Sequence, residues 1–224
     1  MPRVRFLAAL VASFASSGVL AAPFAVQVGD ARLALDAPPG FSDVLATGSP
    51  RLLELAEALT SASNKILLFA LEDADVRRFN VGDSPELRRY VIVVTPKELQ
   101  TARTTLPAFR SLVTASLAEL GPLPGANTEL RSYLDAQPRG RASLLGELRK
   151  EQDVVSVVQG ARLPDPPRSM EPPRYLLSSS TLMLIRGKAL SLAIYTAHNN
   201  AADADWLRGV TVRWIDELQR LNSR

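Results

Sequence analysis

The chain has 224 residues, of which 46% are hydrophobic and 22% charged, with a formal net charge of +3 and no cysteine. This length allows one domain or two with a sizeable core, and the absence of cysteine excludes disulfides, thiol catalysis and a lipid-modified cysteine. The single histidine, His198, excludes a multi-histidine metal site. The basic residues are spread along the chain instead of clustering on one element, so we expect no nucleic-acid partner.

The first 21 residues read as a secretory signal peptide. They contain two arginines and no acid, then an apolar run over residues 6 to 19, then small residues. Serines and Gly18 dilute the run, whereas an uncleaved spanning helix, the alternative, needs about 20 predominantly apolar residues. We predict cleavage after Ala21 and a periplasmic mature chain, residues 22 to 224, with no transmembrane segment. Loss of Arg3 and Arg5 leaves 24 basic and 23 acidic side chains.

The mature chain is predicted to begin with a β-hairpin. Two alternating apolar runs flank Gly29-Asp30, which has glycine at the first turn position, as a type II′ turn requires. The second arm ends at Pro38-Pro39-Gly40, because prolines cannot extend the hydrogen-bond ladder and glycine allows a tight turn. We interpret this as a corner of the fold, after which Phe41 returns to the core.

A helix and two buried strands follow. Ser49 as N-cap and Pro50 at the first helical position predict a helix that ends near Asn64. Short continuous apolar runs at residues 65 to 71 and 88 to 95 are typical of buried strands.

The segment after the second of these strands is predicted to be one long helix. Thr95 as N-cap and Glu98 as the other half of a capping box indicate its start. The apolar stripe stays in phase across Pro107, which favours a kinked helix ending at Gly121 over two separate helices.

Residues 122 to 151 are polar and helix-prone, with Asn127 as a cap and Glu129 in the first turn. A strand is predicted at residues 153 to 159. Residues 161 to 174 contain five prolines in fourteen positions and predict an extended surface loop.

The end of the chain predicts two long strands joined at Gly187-Lys188, as a glycine-first hairpin, and a closing amphipathic helix with both tryptophans on its apolar face. The predicted elements are about seven mostly hairpin-linked strands and about four helices. We therefore predict a single α+β domain with a largely antiparallel sheet covered by helices.

The order of four segments resembles a group of uncharacterised exported proteobacterial proteins, a group with no assigned activity. The segments are LALDAPPGF, KILLFALEDADVRRF, RRYVIVVTPKEL and the closing LIRGKALSLAIYT with DWLRGVTVRWIDELQRLN. The proline-glycine-aromatic corner, the glycine hairpin and the closing helix also resemble the PsbP-like α/β/α sandwich. PsbP-like proteins mostly act as accessory or assembly factors, so this resemblance implies a binding role and not catalysis.

The motifs of common active sites are missing. The sequence has no H-E-x-x-H, no G-x-S-x-G and no glycine-rich phosphate loop. A Ser-His-Asp triad would need His198 with the serines at 178 to 180, which lie on a predicted strand without a nucleophile elbow. We predict no catalytic residue, cofactor or metal.

Two polar segments are weak candidates for ligand or partner contacts. Asp75, Arg77 and Arg78 lie in the densest charged segment, where they either bind an ion or form a solvated helical turn. His198 and Asn199 either line a pocket at the sheet edge or belong to a plain polar loop.

Two functions remain open at this point. The first is a non-catalytic exported protein that binds another envelope protein through its proline-rich loop and the turn at residues 75 to 78. The second is a small-ligand binder or hydrolase built from carboxylates and His198, which requires those groups to converge in one concave site.

Overall fold

The computed structural model describes residues 23–125, 128–165 and 172–223. The predicted signal peptide, the predicted cap at Asn127 and the middle of the proline-rich loop lie outside the described residues.

The described residues form nine strands and five α-helices, together with short 3-10 turns at Leu45–Thr47 and Lys97–Leu99. The strands are β1 (Phe24–Val28), β2 (Ala31–Leu35), β3 (Phe41–Asp43), β4 (Asn64–Glu72), β5 (Arg89–Pro96), β6 (Ser143–Lys150), β7 (Val154–Arg162), β8 (Tyr175–Ile185) and β9 (Lys188–Ala197). The helices are α1 (Pro50–Ala58), α2 (Asp73–Asn80), α3 (Leu106–Ala118), α4 (Leu130–Asp135) and α5 (Ala201–Asn222).

Seven strands form one antiparallel sheet in the order β3-β4-β5-β9-β8-β7-β6, and β1 and β2 pair separately. Helices lie on both faces of the large sheet: α5 packs on one face, and α1, α2 and α3 pack on the other. The predicted α+β class with a largely antiparallel sheet is confirmed.

Alternation along β8, and along β9 after its first three buried residues, builds the core beneath α5. Successive strand residues point to opposite faces, so every second side chain of β8 is buried while those between are half-exposed. The buried set packs against an apolar stripe of α5 that includes Leu207, Trp214 and Leu218. Within this interface, Thr211 donates a hydrogen bond of 2.8 Å to the hydroxyl of Ser179.

Helix α5 also holds the N-terminal hairpin. The indole of Trp214 donates to the carbonyl of Asp36 at 2.8 Å. The side-chain amide of Asn222 accepts from the backbone N–H of Ala34 at 2.9 Å and donates to its carbonyl at 2.8 Å. The amide thus pairs with β2 as a neighbouring strand would.

The predicted corner at residues 38 to 40 is confirmed. Gly40 has φ +87, and the N–H of Phe41 donates to the carbonyl of Pro38 at 3.1 Å to close the turn. Phe41 is buried, and its ring lies 6.2 Å from that of Trp206. The corner serves packing.

The predicted long helix from Thr95 to Gly121 is wrong. Thr95 lies inside β5, where its hydroxyl donates to the carbonyl of Ala189 at 3.0 Å. The helix begins only at Leu106, with Thr105 as N-cap and Pro107 in the first turn. A proline is tolerated there because the first turn has no intrahelical acceptor for its missing N–H.

Other boundaries also differ. Helix α1 ends at Ala58, short of the predicted Asn64, and the side chain of Ser49 makes no capping hydrogen bond. In the helix-prone stretch from 122 to 151, the described residues form the short α4 and an unpredicted strand, β6. The proline-rich loop begins after Arg162, because residues 161 and 162 belong to β7.

The β8–β9 turn is formed by Arg186 and Gly187, both with positive φ, and not by the predicted Gly187-Lys188. Glycine is therefore second, as in a type I′ turn. Lys188 instead begins β9, and only 1% of it is exposed.

The buried ammonium of Lys188 joins distant parts of the chain. It donates to the carbonyls of Gln100 and Ala102 at 3.0 and 2.9 Å and pairs with Asp30 at 2.8 Å. Burial of a charge is tolerated only where hydrogen bonds replace the lost water. The pairing brings the Gly29-Asp30 turn so close that a Cβ on Gly29 would lie 2.1 Å from the carbonyl oxygen of Gln100.

None of the helices among the described residues is both long and apolar enough to cross a bilayer.

Lys188→Met is expected to lower the free energy of unfolding by about 1–3 kcal/mol, because the thioether fills the space but leaves the part-buried carbonyls of Gln100 and Ala102 without this donor. Asp30 adds little to this loss, since 82% of its side chain is exposed. Urea unfolding measures the change. Lys150→Met is the control, because 72% of its side chain is exposed and surface changes stay within about 0.5 kcal/mol. Equal midpoints for the two variants would contradict the prediction.

Candidate functional site

An open cleft of about 660 Å³ lies between the first two turns of α5 and the start of α4. The α5 wall consists of residues at helical spacing, and Glu129, Leu130 and Arg131 form the opposite wall. The α5 residues are Ala201, Ala204, Asp205 and Arg208. His198 and Asn200, from the connection between β9 and α5, complete the lining. This volume lies within the range of small-molecule sites.

A capping box fixes the connection that carries His198. Asn200 accepts from the N–H of Ala202 at 2.9 Å. The carboxylate of Asp203 accepts from the N–H groups of Asn199 and Asn200 at 2.9 and 3.1 Å. The first turn of α5 is therefore internally satisfied, and its position relative to β9 is set.

Arg89 anchors this cap to the sheet. Its guanidinium pairs with Asp203 at 3.2 Å and Glu72 at 3.5 Å, and lies 3.9 Å from the ring centroid of Trp206. Burial opposes ionisation of Asp203, but the two amide donors and Arg89 together lower its pKa below the ordinary value. Asp203 is thus a structural carboxylate that stays ionised.

His198 lies in the cleft wall and is only 9% exposed. Its backbone N–H donates to the carbonyl of Tyr175 at 2.9 Å, whereas Nδ1 is buried and has no hydrogen-bond partner among the described residues. Burial and the nearby Arg131 lower the pKa of the imidazole, and Asp203 and Glu129 only partly oppose this. The ring is therefore neutral at neutral pH.

The cleft contains two guanidinium groups without carboxylate partners. Arg131 donates to the carbonyl of Asn199 at 2.9 Å and lies 5.6 Å from the ring centroid of Tyr175. Neither Arg131 nor Arg208 forms an ion pair with a residue that the structure describes.

The two carboxylates of the cleft differ in their contacts. The side chain of Glu129 accepts from the N–H of Ser132 at 2.7 Å, and this bond is the main cause of its lowered pKa. Asp205 is exposed on the α5 wall.

The structure brings together only some of the predicted contact residues. His198 lines the cleft, and Asn199 contacts Arg131 through its carbonyl. Asp75, Arg77 and Arg78 lie on α2 and are not among the cleft-lining residues.

The α2 residues are engaged locally or exposed. Asp75 is buried and accepts from the N–H groups of Glu86 and Leu87 at 2.9 and 3.0 Å. Arg78 pairs with Glu86 at 2.6 Å, and Arg77 is exposed. Among the three, the carboxylate and Arg78 stabilise the loop after α2.

Sequence reasoning did not single out Arg131 and Arg208. The spacing of Ala201, Ala204, Asp205 and Arg208 marks one helical face, which borders the apolar stripe at Ala204, and was the available signal for one wall. The opposite wall begins about seventy residues earlier in the chain, and no local pattern brings it to α5.

Within the described part of the chain, no three His, Cys, Asp or Glu side chains cluster closely enough to hold a metal ion.

Asp203→Ala is expected to lower the free energy of unfolding by about 1–2 kcal/mol, because it removes half of a capping box. Asp205→Ala, two residues away and exposed, is the matched control and should change it by less than about 0.5 kcal/mol. Thermal and urea unfolding measure both. Equal losses would show that the carboxylate of Asp203 does not fix the start of α5.

Arg131→Gln is expected to raise the pKa of His198, because it removes a positive charge that disfavours the imidazolium. The pKa should stay below the ordinary value of about 6.5, since burial is the larger cause. NMR titration of the tag-free protein reads this directly, because His198 is the only histidine. Arg110→Gln, on the exposed side of α3, should leave the titration unchanged. An unchanged or lowered pKa in Arg131→Gln would contradict the assignment.

No family model and no curated protein matches the chain. Among solved structures, the chain is similar to the Saccharomyces cerevisiae Ran-binding protein Mog1p, with 10% identity, a TM-score of 0.40, and coverage of 90% of this chain and 94% of that one. A mutant of the protein Mog1 gives 11% identity, a TM-score of 0.41, and coverage of 89% and 94%. This distant likeness assigns no role to any residue of the cleft.

Proposed function

We propose that the protein is an exported, periplasmic, non-catalytic accessory protein that binds another envelope protein through the cleft between α4 and α5. The leader pattern at residues 1 to 21 and the resemblance to exported proteobacterial proteins and to PsbP-like accessory factors support the export and the role. The observation that carries the binding role is the convergence in one cleft of His198 with Arg131 and Arg208, two guanidinium groups to which the described residues supply no carboxylate.

Unpartnered groups of this kind favour a binding surface. A buried polar atom without a hydrogen bond costs about 1–3 kcal/mol, and such atoms are rare in folded proteins. Arginine is enriched at protein interfaces, where its planar donors and apolar stem both make contacts. A partner that enters the cleft reaches the two exposed guanidinium groups, whereas Nδ1 of His198 has almost no accessible surface.

The lining of the cleft favours binding over hydrolysis. A hydrolytic histidine works with a nucleophile on one ring nitrogen and an orienting group on the other. The cleft-lining residues that the structure describes include no serine, threonine, cysteine or lysine, and no described group orients Nδ1. Of the strand serines, Ser179 is buried under α5 and bonded to Thr211.

The cleft also replaces the surface proposed from sequence. Asp75 and Arg78 make local contacts in the loop after α2, which leaves them less available to a partner. A small-ligand binder is the second candidate function, and the volume of the cleft favours it.

A photo-cross-linking amino acid at position 205, on the rim of the cleft, is expected to form a discrete adduct with an envelope protein in the native bacterium. The same amino acid at position 110, on the exposed side of α3, is the control and should not form that adduct. Adducts are detected by mass on gels and identified by mass spectrometry.

The same cells test export. The protein should be released by osmotic shock with an N-terminus at Ala22. Identical adducts from both positions, or none from position 205, would contradict the proposed protein partner, and an unprocessed cytoplasmic chain would contradict export.

A further inference from the structure

We infer that the cleft recognises an oxyanion group, a carboxylate or a phosphate, which the guanidinium groups of Arg131 and Arg208 hold beside His198. The inference rests on the proposed function in taking this cleft as the binding site, and it adds the chemistry of the bound group.

The shared position of Arg131 and Arg208 in one cleft supports this assignment, since a lack of ion pairs alone is also found for exposed arginines outside it, such as Arg110. The less exposed guanidinium groups of Arg89, Arg149 and Arg162 each pair with carboxylates of the chain. Arg131 and Arg208 line one concave surface, and the described residues supply neither with a carboxylate. A carboxylate or phosphate of a ligand matches the planar donor fork of guanidinium.

The acids of the cleft do not satisfy these arginines. Glu129 feels the charge of Arg131, which contributes to its lowered pKa, but the two form no ion pair and the carboxylate bonds to the N–H of Ser132. Asp205 lies three residues before Arg208, but no ion pair forms between them in the structure. An exposed pair at this spacing would contribute only about 0.2–0.5 kcal/mol, so an incoming oxyanion competes with it readily.

His198 provides the second, independent observation. His198 is buried in the cleft wall, and its Nδ1 has almost no accessible surface and no partner among the described residues, so an oxyanion meets the ring at the atoms that line the cleft. A neutral ring supplies a hydrogen bond without adding charge. The backbone at the start of α5 does not compete for the anion, because Asn200 and Asp203 already cap it. The oxyanion is therefore bound by side chains of the cleft and not by backbone N–H groups of α5.

The test uses inorganic phosphate and succinate as probes, each titrated into the tag-free protein at constant ionic strength. The imidazole NMR signals of His198, the only histidine, report directly on the cleft. We expect a saturable shift with at least one probe. The probe that produces it identifies the group as phosphate or carboxylate, and a response to both identifies a general oxyanion site.

Arg131→Gln and Arg208→Gln should each weaken binding at least tenfold, and Arg208→Lys should weaken it less than Arg208→Gln. Arg110→Gln is the matched control and should bind as the unchanged protein does. Both cleft arginines are exposed, so these variants should keep the fold, as circular dichroism checks. No saturable shift with either probe, or equal affinity in all variants, would overturn the inference.

The two proposals fail separately. An adduct at position 205 without an anion-dependent shift of the His198 signals would support the protein partner and contradict the recognition of an oxyanion. An anion-dependent shift without an adduct supports the oxyanion and replaces the protein partner by a small ligand.

Discussion

The packing of α5 along one face of the seven-stranded sheet is the constraint on which the rest of the structure depends. The buried side chains of β8 and β9 meet the apolar stripe of α5, and the helix also fastens the N-terminal hairpin through Trp214 and Asn222. With that stripe turned inward, the first two turns of α5 present Asp205 and Arg208 towards α4. The helix that closes the core therefore also forms one wall of the cleft.

The ion pair between Arg89 and Asp203 fixes the start of α5 against the sheet. Arg89 reaches from β5 to Asp203, and Asp203 fixes the backbone of Asn199 and Asn200. His198 directly precedes these residues, so its orientation follows from the same network. Within the site, Asp203 and Arg89 pair with each other, whereas the described residues give Arg131 and Arg208 no carboxylate and the Nδ1 of His198 no hydrogen bond.

The local sequence pattern was sufficient to predict an element where burial alone determines which side chains are apolar. The apolar runs at residues 65 to 71 and 88 to 95 and the alternation after residue 175 predicted strands correctly, because burial alone selects those side chains. Strand β6 was missed because it lies at the sheet edge, contains Gly146 and has two register shifts that break the alternation. Pro107 was misread because a proline in phase with a stripe fits a kink and a first turn equally well. Sequence analysis singled out His198 because it is the only histidine in the chain. It could not single out Arg131 and Arg208, because they become neighbours only through the tertiary fold.

The bond pair between Asn222 and Ala34 joins positions 188 residues apart in the chain. Contacts of such sequence separation add to the contact order, which slows folding, and closing so large a loop has an entropic cost. The outer edge of β2 therefore cannot be covered until the last turn of α5 has been synthesised. A chain that ended before Asn222 would leave the N–H and carbonyl of Ala34 without these partners, and unpaired backbone groups at a strand edge are a template for association with other strands.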